Sequence, residues 1–112
     1  MKTIPDKWVV ISLSKEGQDE PETYKVFASW AGGYLRGDSW RLNSGIQHVY
    51  EEEDAYRFSG YSGSSYVCHK NCYGIMGTYN KGVLDNMIER AKHVGATIKI
   101  LPADYKFELI NS

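Results

Sequence analysis

Two hydrophobic periods run along this chain, and the change between them falls near residue 80. Before it, apolar residues alternate or run unbroken; after it they recur at helical spacing. Residues 8–13, Trp8-Val9-Val10-Ile11-Ser12-Leu13, are β-rich and bounded by Pro5-Asp6 and the polar stretch 14–21. That length and branching predict a buried strand. Residues 15–22 contain no apolar side chain and predict a solvated hairpin connection. Residues 23–30 then alternate, with Tyr24, Val26, Ala28 and Trp30 on one face and Lys25, Phe27 and Ser29 on the other.

Gly32-Gly33 and Gly37-Asp38 bracket Tyr34-Leu35-Arg36, which predicts an irregular connection or a short edge element. The longest alternation spans 39–50, with Gly45 marking a bulge or bend halfway. Glu51, Glu52, Glu53 and Asp54 follow, then Ala55-Tyr56-Arg57-Phe58-Ser59, a hairpin with an acidic tip. Residues 61–66 read as a turn into Val67-Cys68-His69. Residues 70–77 are broken by glycine and polar residues, with Tyr73, Ile75 and Met76 as anchors.

The helical stretch is expected at 81–94, packed through Leu84, Met87, Ile88 and Ala91. Thr78 or Asn80 is the expected cap, Lys92 and His93 suit the last turn, and Gly95 suits the position just beyond it. Residues 97–101 form a strand stopped by Pro102, and 105–109 alternate as a last strand would. The expected fold class is α+β: an antiparallel β-sheet of roughly five or six strands with one helix from the C-terminal half packed on a face.

Composition narrows the field. The chain has 112 residues, 42% of them hydrophobic and 13% aromatic, which fits a single domain over 1–112 and argues against disorder. No run reaches the roughly 18 apolar residues of a membrane span, and residues 1–7 lack an apolar leader, so no membrane partner and a cytoplasmic location are expected. Thirteen Lys and Arg against fourteen Asp and Glu leave a net charge of −1.

Cys68-His69-Lys70-Asn71-Cys72 is the clearest candidate for metal chemistry, with His48 as a fourth ligand. A closed zinc site needs a second ligand pair, so no metal and no cofactor are expected. A cysteine nucleophile paired with His48 or His69 has no supporting local signature. The acidic run reads as a solvated tip rather than a catalytic pair in a cleft. The glycines match neither a P-loop nor a dinucleotide motif, and Ser62-Gly63-Ser64-Ser65 is turn chemistry. Arg36, Arg41 and Arg57 interleave with Tyr34, Trp40 and Tyr56, like a small stacking platform for single-stranded nucleic acid. Residues 1–60 carry seven basic against ten acidic side chains, however, which disfavours nucleic acid as a partner.

The stretch Gly37-Asp38-Ser39-Trp40-Arg41-Leu42-Asn43-Ser44-Gly45-Ile46, with Tyr61-Ser62-Gly63-Ser64-Ser65-Tyr66-Val67-Cys68-His69, resembles small accessory proteins carried by prophages of enteric bacteria. The resemblance covers about residues 37–76 and rests on strand and turn residues. It implies a protein that grips a host macromolecule; it implies no catalytic residue.

The leading expectation is therefore a non-enzymatic module that binds, and modulates, a bacterial host protein. Its expected contact residues are Trp30, Tyr34, Arg36, Trp40 and Arg41, with the acidic tip Glu51, Glu52, Glu53 and Asp54. The rival is a small enzyme or small-molecule binder with a pocket between helix and sheet, lined by Tyr50, Tyr56 and His48.

Overall fold

Each hydrophobic run found by its period becomes an element, but the elements divide between two sheets. The computed structural model describes residues 2–32 and 37–111. The strands are β1 (Lys2–Thr3), β2 (Lys7–Lys15), β3 (Thr23–Trp30), β4 (Ser39–Leu42), β5 (Ile46–Glu51), β6 (Ala55–Gly60), β7 (Ser65–His69) and β8 (Ala96–Ile100). The helix α1 spans Gly77–His93, and short 3-10 turns cover Lys70–Cys72 and Phe107–Asn111. The class is α+β. Sheet 1 has the order β1-β7-β6-β5 and sheet 2 the order β4-β3-β2-β8. Among the described strand pairs β1 with β7 is the parallel one, so sheet 1 is mixed and sheet 2 is antiparallel.

One sheet of five or six strands was the expectation, and the correction lies at Asn43-Ser44-Gly45. The Asn43 N–H donates to the Val26 carbonyl at 3.1 Å, and its Oδ1 accepts the Val26 N–H at 2.9 Å. The side-chain oxygen thus takes the place of Asn43's own main-chain carbonyl in the ladder with Val26, and β4 ends there. Gly45 then turns the chain at φ +133°, where the Tyr61 ring would lie 2.9 Å from a Cβ. A residue with a side chain would clash there, so the alternation over 39–50 belongs to two strands in different sheets. A further irregularity follows, since Ile46 pairs with Gly60 but His48 with Ser59. The extra residue reverses the parity, and Ile46 and Val49 both point inward.

β2 and β3 form the middle layer of three. Trp8, Val10, Val26 and Ala28 face sheet 1, where they meet Val49, Phe58, Tyr66 and Cys68. Val9, Ile11 and Phe27 face the other way, toward Leu84 of α1. Burial on both faces is why residues 8–11 are apolar without a break. Trp8 centres an aromatic cluster, with Tyr73, Phe107 and Phe58 ring centroids at 4.7, 5.4 and 5.5 Å. Its indole N–H donates to the His69 carbonyl at 2.7 Å. The Tyr73 hydroxyl ties β2 to the residue that follows β8, donating to the Leu101 carbonyl and accepting the Val10 N–H.

The helix begins four residues earlier than its apolar spacing predicts, and neither Thr78 nor Asn80 caps it. Its start is built by β3 instead. Ser29 Oγ accepts the Met76 N–H at 2.9 Å and donates to the Lys7 carbonyl at 3.1 Å. Asn80 reaches back, donating to the Met76 carbonyl at 2.7 Å and the Trp30 carbonyl at 3.4 Å. Gly77 opens the helix at φ +82°, and the Asp38 carboxylate occupies the space of its missing Cβ. A negative group there favours the helix N-terminus. At the other end the last turn carries Arg90, Lys92 and His93, and the Gly95 N–H donates to the Lys92 carbonyl at 3.3 Å, as the sequence predicts.

The chain after Pro102 departs from expectation. The 105–109 stretch adds no strand; Phe107–Asn111 is a 3-10 turn that inserts Phe107 between the sheets. Asn111 then lies along β5. Its Oδ1 accepts the Val49 N–H at 2.7 Å and its Nδ2 donates to the Val49 carbonyl at 2.8 Å.

Candidate functional site

The residues expected to form one contact surface are distributed over both sheets. Strand alternation is the reason: neighbours in sequence project to opposite faces. Trp40 stands on the α1 side of sheet 2, its ring stacked on Phe27 at 5.7 Å and 9°. Arg41 points to the other side, where its guanidinium lies against the Tyr66 hydroxyl. Trp30 is half-buried against the core between the sheets, and its indole N–H donates to the Ile4 carbonyl at 3.0 Å. Tyr34 and Arg36 lie outside the described residues. The acidic tip sits on sheet 1, at the β5–β6 turn.

Trp40 and the strand that carries it have the geometry of a contact site. Phe27 is fully buried and holds one face of the Trp40 ring, while the indole remains 38% exposed. β4 ends its sheet, and among the described residues nothing pairs with its outer side. Asn43 bonds inward to Val26, so by antiparallel alternation Arg41 also turns its main chain toward β3. The N–H and C=O groups of Trp40 and Leu42 therefore face away from the sheet. The outer edge of β5, by contrast, is occupied by Asn111.

The acidic tip is partly neutralised within the chain. Glu51 accepts from the Lys70 ammonium at 2.6 Å, and the same ammonium lies 5.0 Å from the Tyr56 ring centroid. The Glu51 carboxylate holds the Lys70 ammonium above its usual range. Glu52, Glu53 and Asp54 are exposed, and the turn closes with the Glu52 N–H on the Ala55 carbonyl.

Tyr50, Tyr56 and His48 do not line a pocket under the helix. They belong to sheet 1, and α1 lies beyond sheet 2. Tyr56 faces the core beside Trp8, with centroids 6.1 Å apart. His48 and Tyr50 face outward, and Arg57, opposite Tyr50 in register, lies over its ring at 4.3 Å. The sequence pairing of Arg57 with Tyr56, and of Arg41 with Trp40, is thus broken by alternation, and no common stacking platform forms from them.

A groove does lie between helix and sheet, at a different place. α1 crosses sheet 2 from the end of β3, where Asn80 meets Trp30, to the start of β8. Beside its C-terminal half the helix leaves an open cleft among the described residues. The cleft, of about 310 Å³, is lined by Ile11, Leu13, Leu42, Met87, Ala91 and Ile98, with Lys25 and Arg90 among its walls. No residue signal marked it, because its walls come from five elements.

Cys68 is completely buried, and burial pushes its thiol far above the ordinary range. A thiol held protonated is a poor ligand and a poor nucleophile. Cys72 sits half-buried in the 3-10 turn, its Sγ 3.4 Å from Asn71 Oδ1. Among the described residues no three His, Cys, Asp or Glu side chains converge as a metal site requires. No helix among them is long and apolar enough to cross a membrane. No protein-family model, curated protein or solved structure matches the chain.

Proposed function

We propose that this chain is a non-enzymatic protein-interaction module that takes an extended segment of a partner protein along the outer edge of β4, with Trp40 as its apolar anchor. The observation that carries this reading is Trp40 itself, stacked on buried Phe27 yet partly exposed, on a strand whose outer side has no neighbour among the described residues. Stacking fixes the ring before binding, so little side-chain freedom is lost on contact. Tryptophan is among the residue types that dominate interface energetics. Main-chain groups of Trp40 and Leu42 supply the hydrogen bonds by which an added strand gains affinity. The resemblance to prophage accessory proteins fits a host protein as the partner. The chemical alternatives are engaged elsewhere: Cys68 is sealed in the core and Glu51 is held by Lys70.

The test is affinity capture from a bacterial lysate with partner identification, followed by titration of the purified partner. Trp40→Ala should leave the fold intact and weaken binding roughly tenfold or more, about 1.4 kcal/mol. Trp40→Phe should retain most of the affinity, and Tyr61→Ala all of it. In the complex, amide exchange should slow at Trp40 and Leu42. A folded Trp40→Ala variant that binds as the native chain does would remove β4 from the interface.

A further inference from the structure

The groove between α1 and sheet 2 has a composition that specifies a ligand. Its floor is the row Ile11, Leu13 and Ile98 on β2 and β8; its walls are Leu42 on β4 and Met87 and Ala91 on α1. The volume, about 310 Å³, falls at the lower end of the range for small-molecule sites. Apolar lining alone would not choose an occupant. The charges do.

Lys25 and Arg90 both line the groove, one from β3 and one from the helix. Neither belongs to an ion pair among the described residues, whereas Lys15, Lys70, Lys81 and Lys92 are each held by a carboxylate. No acidic side chain lines the groove. Lys25 is half-buried in the same row of β3 that carries Phe27, and a lysine so placed can lay its alkyl stem along an apolar wall while keeping its ammonium in water. An apolar slot lined by two cations that are unpaired among the described residues, one from the sheet and one from the helix, is complementary to a molecule with an apolar body and one carboxylate. A neutral hydrocarbon would leave both cations without a counter-charge, and a cationic amphiphile would meet like charge.

We propose that this groove binds a small amphipathic carboxylate, of the size of a medium-chain fatty acid, with its tail against Ile11, Leu13 and Ile98 and its carboxylate between Lys25 and Arg90. The groove adjoins the partner edge at Leu42, whose side chain walls the groove while its main chain faces outward; Trp40 does not line the groove, so a change at Trp40 separates partner binding from ligand binding.

Titration of the native chain with decanoate, followed by the methyl signals of Ile98, Met87 and Leu42, tests the proposal. Decanoate should bind with one-to-one stoichiometry and shift those signals. The double variant Lys25→Gln with Arg90→Gln changes two side chains that belong to no ion pair among the described residues, and should weaken decanoate roughly tenfold or more. Decanol should bind native and double variant alike, and more weakly than decanoate binds the native chain. Trp40→Ala should leave decanoate binding unchanged. Equal affinity for decanoate and decanol would overturn the proposal, as would decanoate shifts confined to other surfaces, such as that around Tyr61. So would a double variant that binds decanoate as well as the native chain does.

Discussion

Leu84 joins the helix to the middle sheet. It has no accessible surface and belongs to the cluster with Val9, Ile11 and Phe27. Ile88, one turn later on the same stripe, is only half-buried. Helical spacing marks both as core without ranking them, because a stripe wider than its footprint leaves some members at the margin. Leu84→Ala should cost about 2–5 kcal/mol in urea denaturation, and Ile88→Ala distinctly less. Equal losses would mean that α1 sits rotated from the arrangement described. Asn43 and Asn80 are a second residue-scale feature. Both are buried, and each bonds the main chain of β3, Asn43 at Val26 and Asn80 at Trp30, Asn80 also donating to the Met76 carbonyl before its own helix. Nothing in their local sequence distinguishes them from turn or cap residues, since the carbonyl and amide they meet are brought by another element.

At the scale of elements, the edges of the sheets differ in how they are closed. β5 would present a free outer edge, but the Asn111 amide bonds both main-chain groups of Val49, as one residue of an added strand would. Asn111→Ala should therefore lower stability by about 1–2 kcal/mol, the sum of two ordinary hydrogen bonds. Amide exchange at Val49 should quicken in the same variant. Unaltered exchange at Val49 would show that the tail does not guard β5. β4 has no such guard among the described residues, and that contrast supports the proposal of a partner edge on sheet 2. The apolar alternation over 105–109 predicts a strand for the tail. Phe107 instead turns into the aromatic cluster around Trp8, and a 3-10 turn brings Asn111 to the edge that an extended tail would have passed.

For the molecule as a whole, burial of acidic protons makes stability depend on alkaline pH. Burial raises the Cys68 thiol and the Tyr66, Tyr73, Tyr24 and Tyr56 hydroxyls, the Arg41 charge only partly offsetting the rise at Tyr66. Each folded-state value lies above the unfolded one, so the unfolded chain loses these protons first as pH rises. Their contribution is complete below the unfolded values, about 8.5 for a thiol and about 10 for a phenol, and is lost above them. Lys70, raised by Glu51, acts in the same direction. The urea midpoint should fall between pH 8 and pH 11, whereas a flat profile would contradict burial of these groups.

The local elements were legible because their causes are local. A two-residue hydrophobic period, a polar loop and an acidic turn are enough for the existence of the hairpins β2–β3, β5–β6 and β6–β7, though not for the register shift between Ile46 and His48. The change of period and Gly95 are enough for the helix and its end. The division into two sheets was not legible, since a strand's alternation is the same whichever sheet it joins; Asn43 and Gly45 decide it by meeting Val26 and Tyr61. The faces of Trp40 and Arg41, the guard on β5 and the groove beside α1 are likewise products of tertiary structure. Each depends on which distant side chain or main-chain group arrives opposite, and a one-dimensional pattern carries periods and turns but not those meetings.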